Sequence, residues 1–115
     1  MQYDTANRLA REIQASEEYT EYMRLKAIVD QSEPGASLLK EYKRLQLMLQ
    51  MSAVAGGSLS PDDMQRFSQM SSLLYAGTDT SAYLLAEMRL QRMMADIFKI
   101  LTDAAGLQMD LPGMA

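Results

Sequence analysis

The chain has 115 residues, of which 48% are hydrophobic, and its 15 acidic and 11 basic side chains give a net charge of −4. That length is typical of a single domain with one core. The chain contains no Cys, His or Trp. These absences exclude disulfides, Cys- or His-ligated metals and every catalytic mechanism that needs a thiol or an imidazole. The acidic balance also disfavours nucleic acid as a general partner.

Apolar residues at helical spacing, separated by capping residues, predict two short helices at the start of the chain. Asp4 or Thr5 can cap the first, whose apolar positions are spaced three and four residues apart. Ser16, followed by two glutamates, is typical of the N-cap of the second, which is predicted to end near Asp30. The second helix could also continue from the first with only a kink.

A third helix is predicted from the segment 32–34, Ser-Glu-Pro, to about Ala55, where two glycines follow. Its apolar residues alternate steps of four and three, which is typical of a seam along a partner helix. The fourth helix has the clearest start, because Ser60 can serve as N-cap with Pro61 at the first helical position. It is predicted to end before Gly77.

The last helix is predicted to run from Thr78 or Asp79 to about Ala105, with Gly106 as its stop. Its charged residues form one narrow stripe between a broad apolar face and a second apolar strip. The broad face contains Tyr83, Leu90, Met93, Ile97, Ile100 and Leu101, and the second strip contains Leu84, Met88 and Phe98. A surface helix normally has one apolar face. We therefore expect this helix to be packed on two sides, the second by another subunit.

No segment has the alternating pattern of a strand. The sequence thus predicts an all-α fold, an antiparallel helical bundle of about four to five helices with a long C-terminal helix, and a homo-oligomer. The single domain spans residues 1–115. Its tail, residues 107–115, is expected either to fray or to lie across the helices. No signal peptide and no membrane-spanning segment are expected, so the predicted location is the cytoplasm.

Two clusters of carboxylates could in principle carry chemistry. Glu17, Glu18 and Glu21 are close in sequence, and Asp62 is adjacent to Asp63. Both clusters stand at helix starts, where acidic residues interact favourably with the helix dipole. Carboxylate-bridged metal sites in helical bundles also use histidines, which this chain lacks. We therefore predict no catalytic residue, no metal site, no cofactor and no small-molecule substrate.

Two binding surfaces are more plausible. The chain has 11 methionines, and these adaptable side chains suit cores, dimer seams and partner grooves, for example at Met48 and Met51. The predicted oligomer or partner interface comprises Tyr42, Leu45, Leu49, Tyr83, Leu90, Met93, Met94 and Ile97. The alternative is a basic patch for single-stranded RNA, comprising Lys40, Lys43, Arg44, Arg89 and Arg92. A mixed-charge solvated face is the simpler interpretation of that patch, because no aromatic side chain there offers a stacking platform.

Three segments, taken together, resemble one family of small bacterial helical proteins. The first is 3–13 (YDTANRLAREI) followed by 16–22 (SEEYTEY), the second is 39–46 (LKEYKRLQ), and the third runs from 83–87 (YLLAE) to 93–97 (MMADI). Their order and spacing resemble the YlbF/YmcA family over about residues 4–104. The resemblance implies an all-helical, cytoplasmic, oligomeric regulatory protein without enzymatic activity.

The best understood relatives form a complex with one another and with YaaT. That complex directs the endoribonuclease RNase Y, and so affects mRNA maturation, competence, biofilm formation and sporulation. The resemblance therefore implies that this chain is an adaptor whose partners are itself, family paralogues and the RNase Y complex. This chain departs from those relatives because it has no Cys to hold an iron–sulfur cluster, and cysteine-free relatives such as YheA have no assigned role. Direct RNA binding, or a self-assembling structural role without an RNase link, are the alternatives.

Overall fold

The computed structural model describes residues 1–107. This part of the chain contains five α-helices and no strand: α1 Asp4–Gln14, α2 Glu17–Asp30, α3 Gly35–Val54, α4 Pro61–Ala76 and α5 Thr78–Ala105. The predicted all-α fold with a long last helix is therefore confirmed. The predicted tail, apart from Leu107, lies outside the described residues.

Most helix ends lie where the capping residues predict them. The Ser16 hydroxyl accepts a hydrogen bond from the Tyr19 amide at 3.2 Å, and the Ser60 hydroxyl accepts one from the Asp63 amide at 3.2 Å. Gly106 ends α5 in the left-handed conformation, with φ of 72°. These contacts satisfy backbone groups that helix termini otherwise leave unpaired.

Two helix starts differ from the prediction. Asp4 is the first residue of α1 and not its cap, and Tyr3 occupies the cap position without a side-chain hydrogen bond. The Tyr3 carbonyl accepts the first helical bond from the Asn7 amide at 2.9 Å, so the Asp4 carboxylate acts through the helix dipole. Pro34 is the N-cap of α3, one residue before the helix begins.

Replacing Ser60 by alanine is expected to lower the free energy of unfolding by about 1 kcal/mol, because the Asp63 amide loses its acceptor. The matched control is Ser68→Ala, at an exposed position inside the same helix. Urea unfolding followed by circular dichroism measures both changes. Equal midpoints for the two variants would contradict a capping role for Ser60.

The core lies between α2, α3, α4 and α5. Helix α2 packs along α5, α3 packs on α4, and α4 also contacts α5. The tyrosine ring of Tyr42 stacks on Phe67 of α4 with ring centroids 4.9 Å apart. The buried residues of the central cluster are Leu25, Val29, Leu39, Tyr42, Leu74, Tyr83, Leu84 and Ala86. Their side chains are aliphatic apart from two tyrosine rings, so burial of apolar surface is the main contribution to the stability of the fold.

The two apolar strips of α5 are both covered near its start, where Tyr83 and Leu84 are buried. At Leu84 this chain itself covers the second strip. Packing of the remaining apolar surface of α5 against another subunit stays a prediction. Beyond Ala86, α5 has no buried residue, and α1 has none at all. The molecule measures 49 × 36 × 17 Å. A slab this thin has room for about two layers of helices, which leaves long stretches of apolar surface uncovered.

Candidate partner-binding site

A groove of about 910 Å³ runs between the start of α2 and the middle of α5. The two helices are antiparallel, since Tyr22 of α2 contacts Tyr83 early in α5 while residues nearer the start of α2 face later parts of α5. We call this the α2–α5 groove. It is lined by Glu17, Glu18, Glu21, Leu85, Ala86, Met88, Arg89, Arg92, Met93 and Asp96.

The two walls of the α2–α5 groove differ in charge. Helix α2 supplies three glutamates, whereas α5 supplies two arginines and one aspartate. Glu21 accepts hydrogen bonds from Arg24 at 3.1 and 2.5 Å, and this contact, with Arg89 acting at longer range, lowers the pKa of the Glu21 carboxyl. The Glu21 carboxyl therefore stays ionised at neutral pH.

Apolar side chains of the α2–α5 groove all come from α5. Leu85 is 48% exposed and Met88 is 56% exposed, while Met93 is partly buried. Arg89 and Arg92 lie between Met93 and Met88 around α5, so the groove presents apolar side chains interspersed with charged ones. A surface that combines apolar contacts with charges of both signs suits an amphipathic helix. The groove residues therefore offer apolar contacts and charges of both signs to a bound molecule.

A polar cluster at the centre of the molecule fixes the helices that form this groove. Lys43 of α3 donates a hydrogen bond to the Tyr83 hydroxyl at 2.8 Å and forms an ion pair with Glu87 of α5. The Tyr83 hydroxyl donates to Glu87 at 3.0 Å and lies 3.4 Å from the hydroxyl of Tyr22 of α2. The polar cluster therefore connects α2, α3 and α5 through directional bonds.

Stability should be lost in alkaline solution because of the buried tyrosines. Burial raises the pKa of Tyr83 above its ordinary value of 10.0, with contributions from Tyr22 and Glu87, and burial also raises the pKa of Tyr42. The unfolded chain releases these protons first, so the stabilisation is complete below pH 10 and decreases as the pH rises further. The expected slope is up to about 1.4 kcal/mol per pH unit for each tyrosine.

Denaturant titrations between pH 8 and about 12 test this expectation. Tyr83→Phe removes one of the two protons, so its stability should decrease less steeply above pH 10 than that of the wild type. Identical slopes for the two proteins would contradict a raised Tyr83 pKa.

The predicted interface residues divide into two groups. Tyr42, Leu45 and Tyr83 are buried inside the chain, with exposed fractions of 6%, 0% and 2%. They belong to the interior of the single chain, and the seam on α3 is covered largely by this chain's own helices. The remaining residues, Leu49, Leu90, Met93, Met94 and Ile97, are partly or well exposed. Only these five remain open to a partner.

The predicted RNA-binding cations do not form one surface. Lys43 pairs with Glu87, whereas Arg89 lines the α2–α5 groove. Two positions along a helix correspond to about 200° of rotation, so Glu87 and Arg89 lie on opposite sides of α5. Lys40 is exposed on α3 and does not line the α2–α5 groove.

Three of those five cations already have a carboxylate partner. Besides Lys43, the Arg44 guanidinium binds Glu41 at 2.9 and 2.5 Å, and Arg92 lies 3.7 Å from Asp96. Any contact with a phosphate at these positions would compete with an existing ion pair.

The two carboxylate clusters lie at helix starts, as expected. Asp62 and Asp63 occupy the first turn of α4, and the glutamates of the other cluster lie along the first turns of α2. Within residues 1–107, no cluster of three or more carboxylates has a geometry suited to a metal ion. No helix in this part of the chain is long and apolar enough to cross a membrane.

Several contributing residues were not singled out from the sequence. Glu87 lies four residues after Tyr83, a spacing that brings side chains together on a helix. The contact between these two side chains could therefore have been predicted from the sequence. Tyr22 carried no signal that distinguishes it from other apolar positions, and Met88 was placed in the second apolar strip of α5 but not at the interface. Met48 is partly buried with its sulfur 3.0 Å from Arg44, whereas Met51 is 64% exposed.

Comparison with known proteins gives one consistent result. Residues 2–104 match the family described as "Control of competence regulator ComK, YlbF/YmcA". The chain is 34% identical to a UPF0342 protein of Halothermothrix orenii over 99 residues, covering 86% of this chain and 84% of the relative. It is 27% identical to a UPF0342 protein of Caldicellulosiruptor saccharolyticus, covering 97% and 93%.

A solved structure has the same fold. It is described as a protein of unknown function (DUF964) from Bacillus stearothermophilus, and it matches with a TM-score of 0.76 at 18% identity, covering 90% of this chain and 91% of that one. This family is regulatory in its description and is not a known enzyme family. The chain belongs to the YlbF/YmcA family.

Proposed function

We propose that this protein is a non-catalytic helical adaptor that binds an amphipathic helix of a protein partner in the α2–α5 groove. The observation that carries the proposal is the groove itself, in which exposed Leu85 and Met88 lie beside the two arginines of α5 while α2 supplies three glutamates. A partner helix with an apolar face and charges of both signs on its flanks would complement it.

Binding in this groove would rest on burial of apolar surface, with the charges setting orientation. The methionines can adjust to a partner's shape because their side chains are unbranched and flexible. The ionised Glu21 wall would attract a basic flank and repel an acidic one. The groove would therefore favour one of the two directions in which a partner helix could lie along it.

The proposed partners follow from family membership. The family itself is described by its control of the competence regulator ComK. We place this chain, as a proposal, among the adaptors that modulate RNase Y-dependent mRNA processing, with RNase Y and family paralogues as the bound proteins. Competence, biofilm formation and sporulation would be the processes affected.

The first experiment identifies the partner. Tagged protein is recovered from the source bacterium at low and moderate salt after nuclease treatment, and the bound proteins are identified by mass spectrometry. Recovery of RNase Y or a family paralogue supports the proposal, provided that the variant Met88→Asp no longer recovers it. Leu73→Asp is the matched control, because Leu73 is 61% exposed on α4, outside the groove.

A parallel recovery without nuclease tests the alternative of direct RNA binding. Capture that depends on RNA is lost on nuclease treatment and falls steeply with salt. That result, without capture of RNase Y or a paralogue after nuclease treatment, would contradict the adaptor proposal.

A further inference from the structure

The α2–α5 groove contains side chains that peroxides can oxidise. The chain has no Cys, so its 11 methionines hold all of its sulfur. Oxidation of an accessible thioether gives methionine sulfoxide, which puts a polar group in place of an apolar one. Met88 and Met93 both line the groove, and Met88 is 56% exposed while Met93 is partly buried. Met88 is therefore the groove methionine that is most open to an oxidant.

An arginine lies one helical turn from Met88. Arg92 follows it by four residues, a spacing that brings side chains together on a helix, and both line the groove. Elsewhere the same spacing gives a contact, because the Arg44 guanidinium donates a hydrogen bond to the Met48 sulfur at 3.0 Å. A thioether sulfur is a weak acceptor, whereas the oxygen of a sulfoxide is a strong one. Arg92 is thus placed to bind the oxidised form of Met88 in preference to the reduced form.

The present ion pair of Arg92 would not prevent that change of partner. Its guanidinium lies 3.7 Å from Asp96, and both side chains are mostly exposed. Exposed pairs of this kind contribute little to stability, so the guanidinium can leave the carboxylate at low cost. Oxidation of Met88 would therefore change both the apolar surface and the charge arrangement of the groove.

Two methionines outside the groove provide internal comparisons. Met48 is partly buried, and its sulfur already accepts the hydrogen bond from Arg44, so a lone pair that an oxidant needs is engaged. Met51 is 64% exposed on α3 and does not line the groove. Met48 should therefore react slowly, and Met51 should react rapidly without any effect on the groove.

We propose that Met88 is an oxidation site that regulates the α2–α5 groove, and that its sulfoxide prevents a helical partner from binding. This inference rests on the proposed function, because it assigns a form of regulation to the same groove. Reduced Met88 offers the partner an apolar contact. The sulfoxide oxygen is hydrogen-bonded to water or Arg92, and burying it under an apolar helix face would cost that hydrogen bond.

Hydrogen peroxide is the oxidant in this reaction. The Met88 sulfur attacks one peroxide oxygen, so an S–O bond forms while the O–O bond breaks. Sulfur gives up two electrons, and the proton on the transferred oxygen passes to the displaced hydroxide, which leaves as water. Methionine sulfoxide reductases, which draw electrons from thiols, reverse the modification, with one enzyme for each epimer of the sulfoxide. The oxidation can therefore act as a reversible switch.

Timed oxidation of the purified protein tests the reactivity of the site. Samples are treated with hydrogen peroxide, quenched at intervals and digested, and the sulfoxide at each methionine is measured by mass spectrometry. Met88 and Met51 should react several times faster than Met48. The helical circular dichroism should stay unchanged, because Met88 is exposed. Reaction of Met88 no faster than that of Met48 would overturn the inference, whether or not the groove binds RNase Y.

Calorimetric titration with RNase Y tests the switch. Peroxide is removed before RNase Y is added, so that only this protein is oxidised, and each form is compared with itself before and after oxidation. The oxidised wild type should bind at least roughly tenfold more weakly than the reduced wild type. Treatment with both methionine sulfoxide reductases should restore the affinity. Met88→Leu should bind equally before and after peroxide, whereas Met51→Leu should lose affinity as the wild type does.

The outcomes separate this inference from the proposed function. Equal affinities of the reduced and oxidised wild type would overturn the switch and leave the proposed function intact. An equal loss of affinity in oxidised Met88→Leu would overturn the assignment of the switch to Met88. No binding by the reduced wild type would contradict the proposed function, and the switch with it.

Discussion

Replacing Leu74 by alanine should lower the free energy of unfolding by about 2–5 kcal/mol, because the change leaves a cavity in the core. Leu74 is 0% exposed and belongs to the central cluster shared by α2, α3, α4 and α5. The molecule is only 17 Å thick, so few side chains surround the cavity that this change would leave. The neighbouring helices can therefore shift only at the expense of other core contacts.

The matched control for this change is its neighbour in sequence. Leu73 is 61% exposed on the same helix, so Leu73→Ala makes the same chemical change without a cavity. Its effect should stay within about 0.5 kcal/mol. Chemical unfolding of both variants measures the difference, and similar midpoints for the two would show that α4 does not pack as described.

The second large effect is expected in the polar cluster. Lys43→Met should lower the free energy of unfolding by about 1–3 kcal/mol, because Glu87, whose side chain is only 14% exposed, loses its cation. Replacing both partners, Lys43→Met with Glu87→Leu, should cost less than the sum of the single changes, because no unpaired charge remains. The expected coupling energy is about 1 kcal/mol.

A double-mutant cycle measured by urea unfolding gives that coupling energy. Lys99→Met provides the control, because Lys99 pairs with Asp103 on the exposed surface of α5 and links no two helices. It should have no comparable effect on stability. Additive effects at Lys43 and Glu87 would contradict a structural role for their ion pair.

Helix boundaries were the most predictable part of this fold, because they depend on local chemistry. The segment from Ser60 to Asp63 contains the cap, the proline and the acids that start α4, and Gly106 supplies the left-handed stop of α5. The start of α1 was less predictable, because Tyr3 caps it through its carbonyl alone. A backbone carbonyl is present at every residue and leaves no signal in a sequence.

The surfaces that each helix presents were predictable, but not what covers them. The spacing of Tyr42 and Leu45 on α3 correctly indicated a buried side, yet α4 of the same chain supplies Phe67 against Tyr42. Helical periodicity shows that a face is apolar and carries no information about the identity of its neighbour. For the same reason, the pairing of Lys43 with Glu87, 44 residues apart, had no local signal.

The α2–α5 groove was partly predictable. Met93 was expected at a partner interface, and it does line the groove. The glutamates of α2 were interpreted only as helix-start residues, and the structure gives them a second position, opposite Arg89 and Arg92. The position of the glutamates opposite the arginines depends on the register of α2 along α5. That register is set by packing of the core residues between the two helices.

The decisive measurement is the affinity of the purified protein for RNase Y, determined by calorimetric titration at moderate salt with three forms of the chain. The wild type and Leu73→Asp should bind with the same dissociation constant, and Met88→Asp should bind at least roughly tenfold more weakly, because it replaces an apolar contact of the groove by a charge. Equal affinities for all three forms, or no binding by the wild type, would contradict an adaptor that holds its partner in the α2–α5 groove.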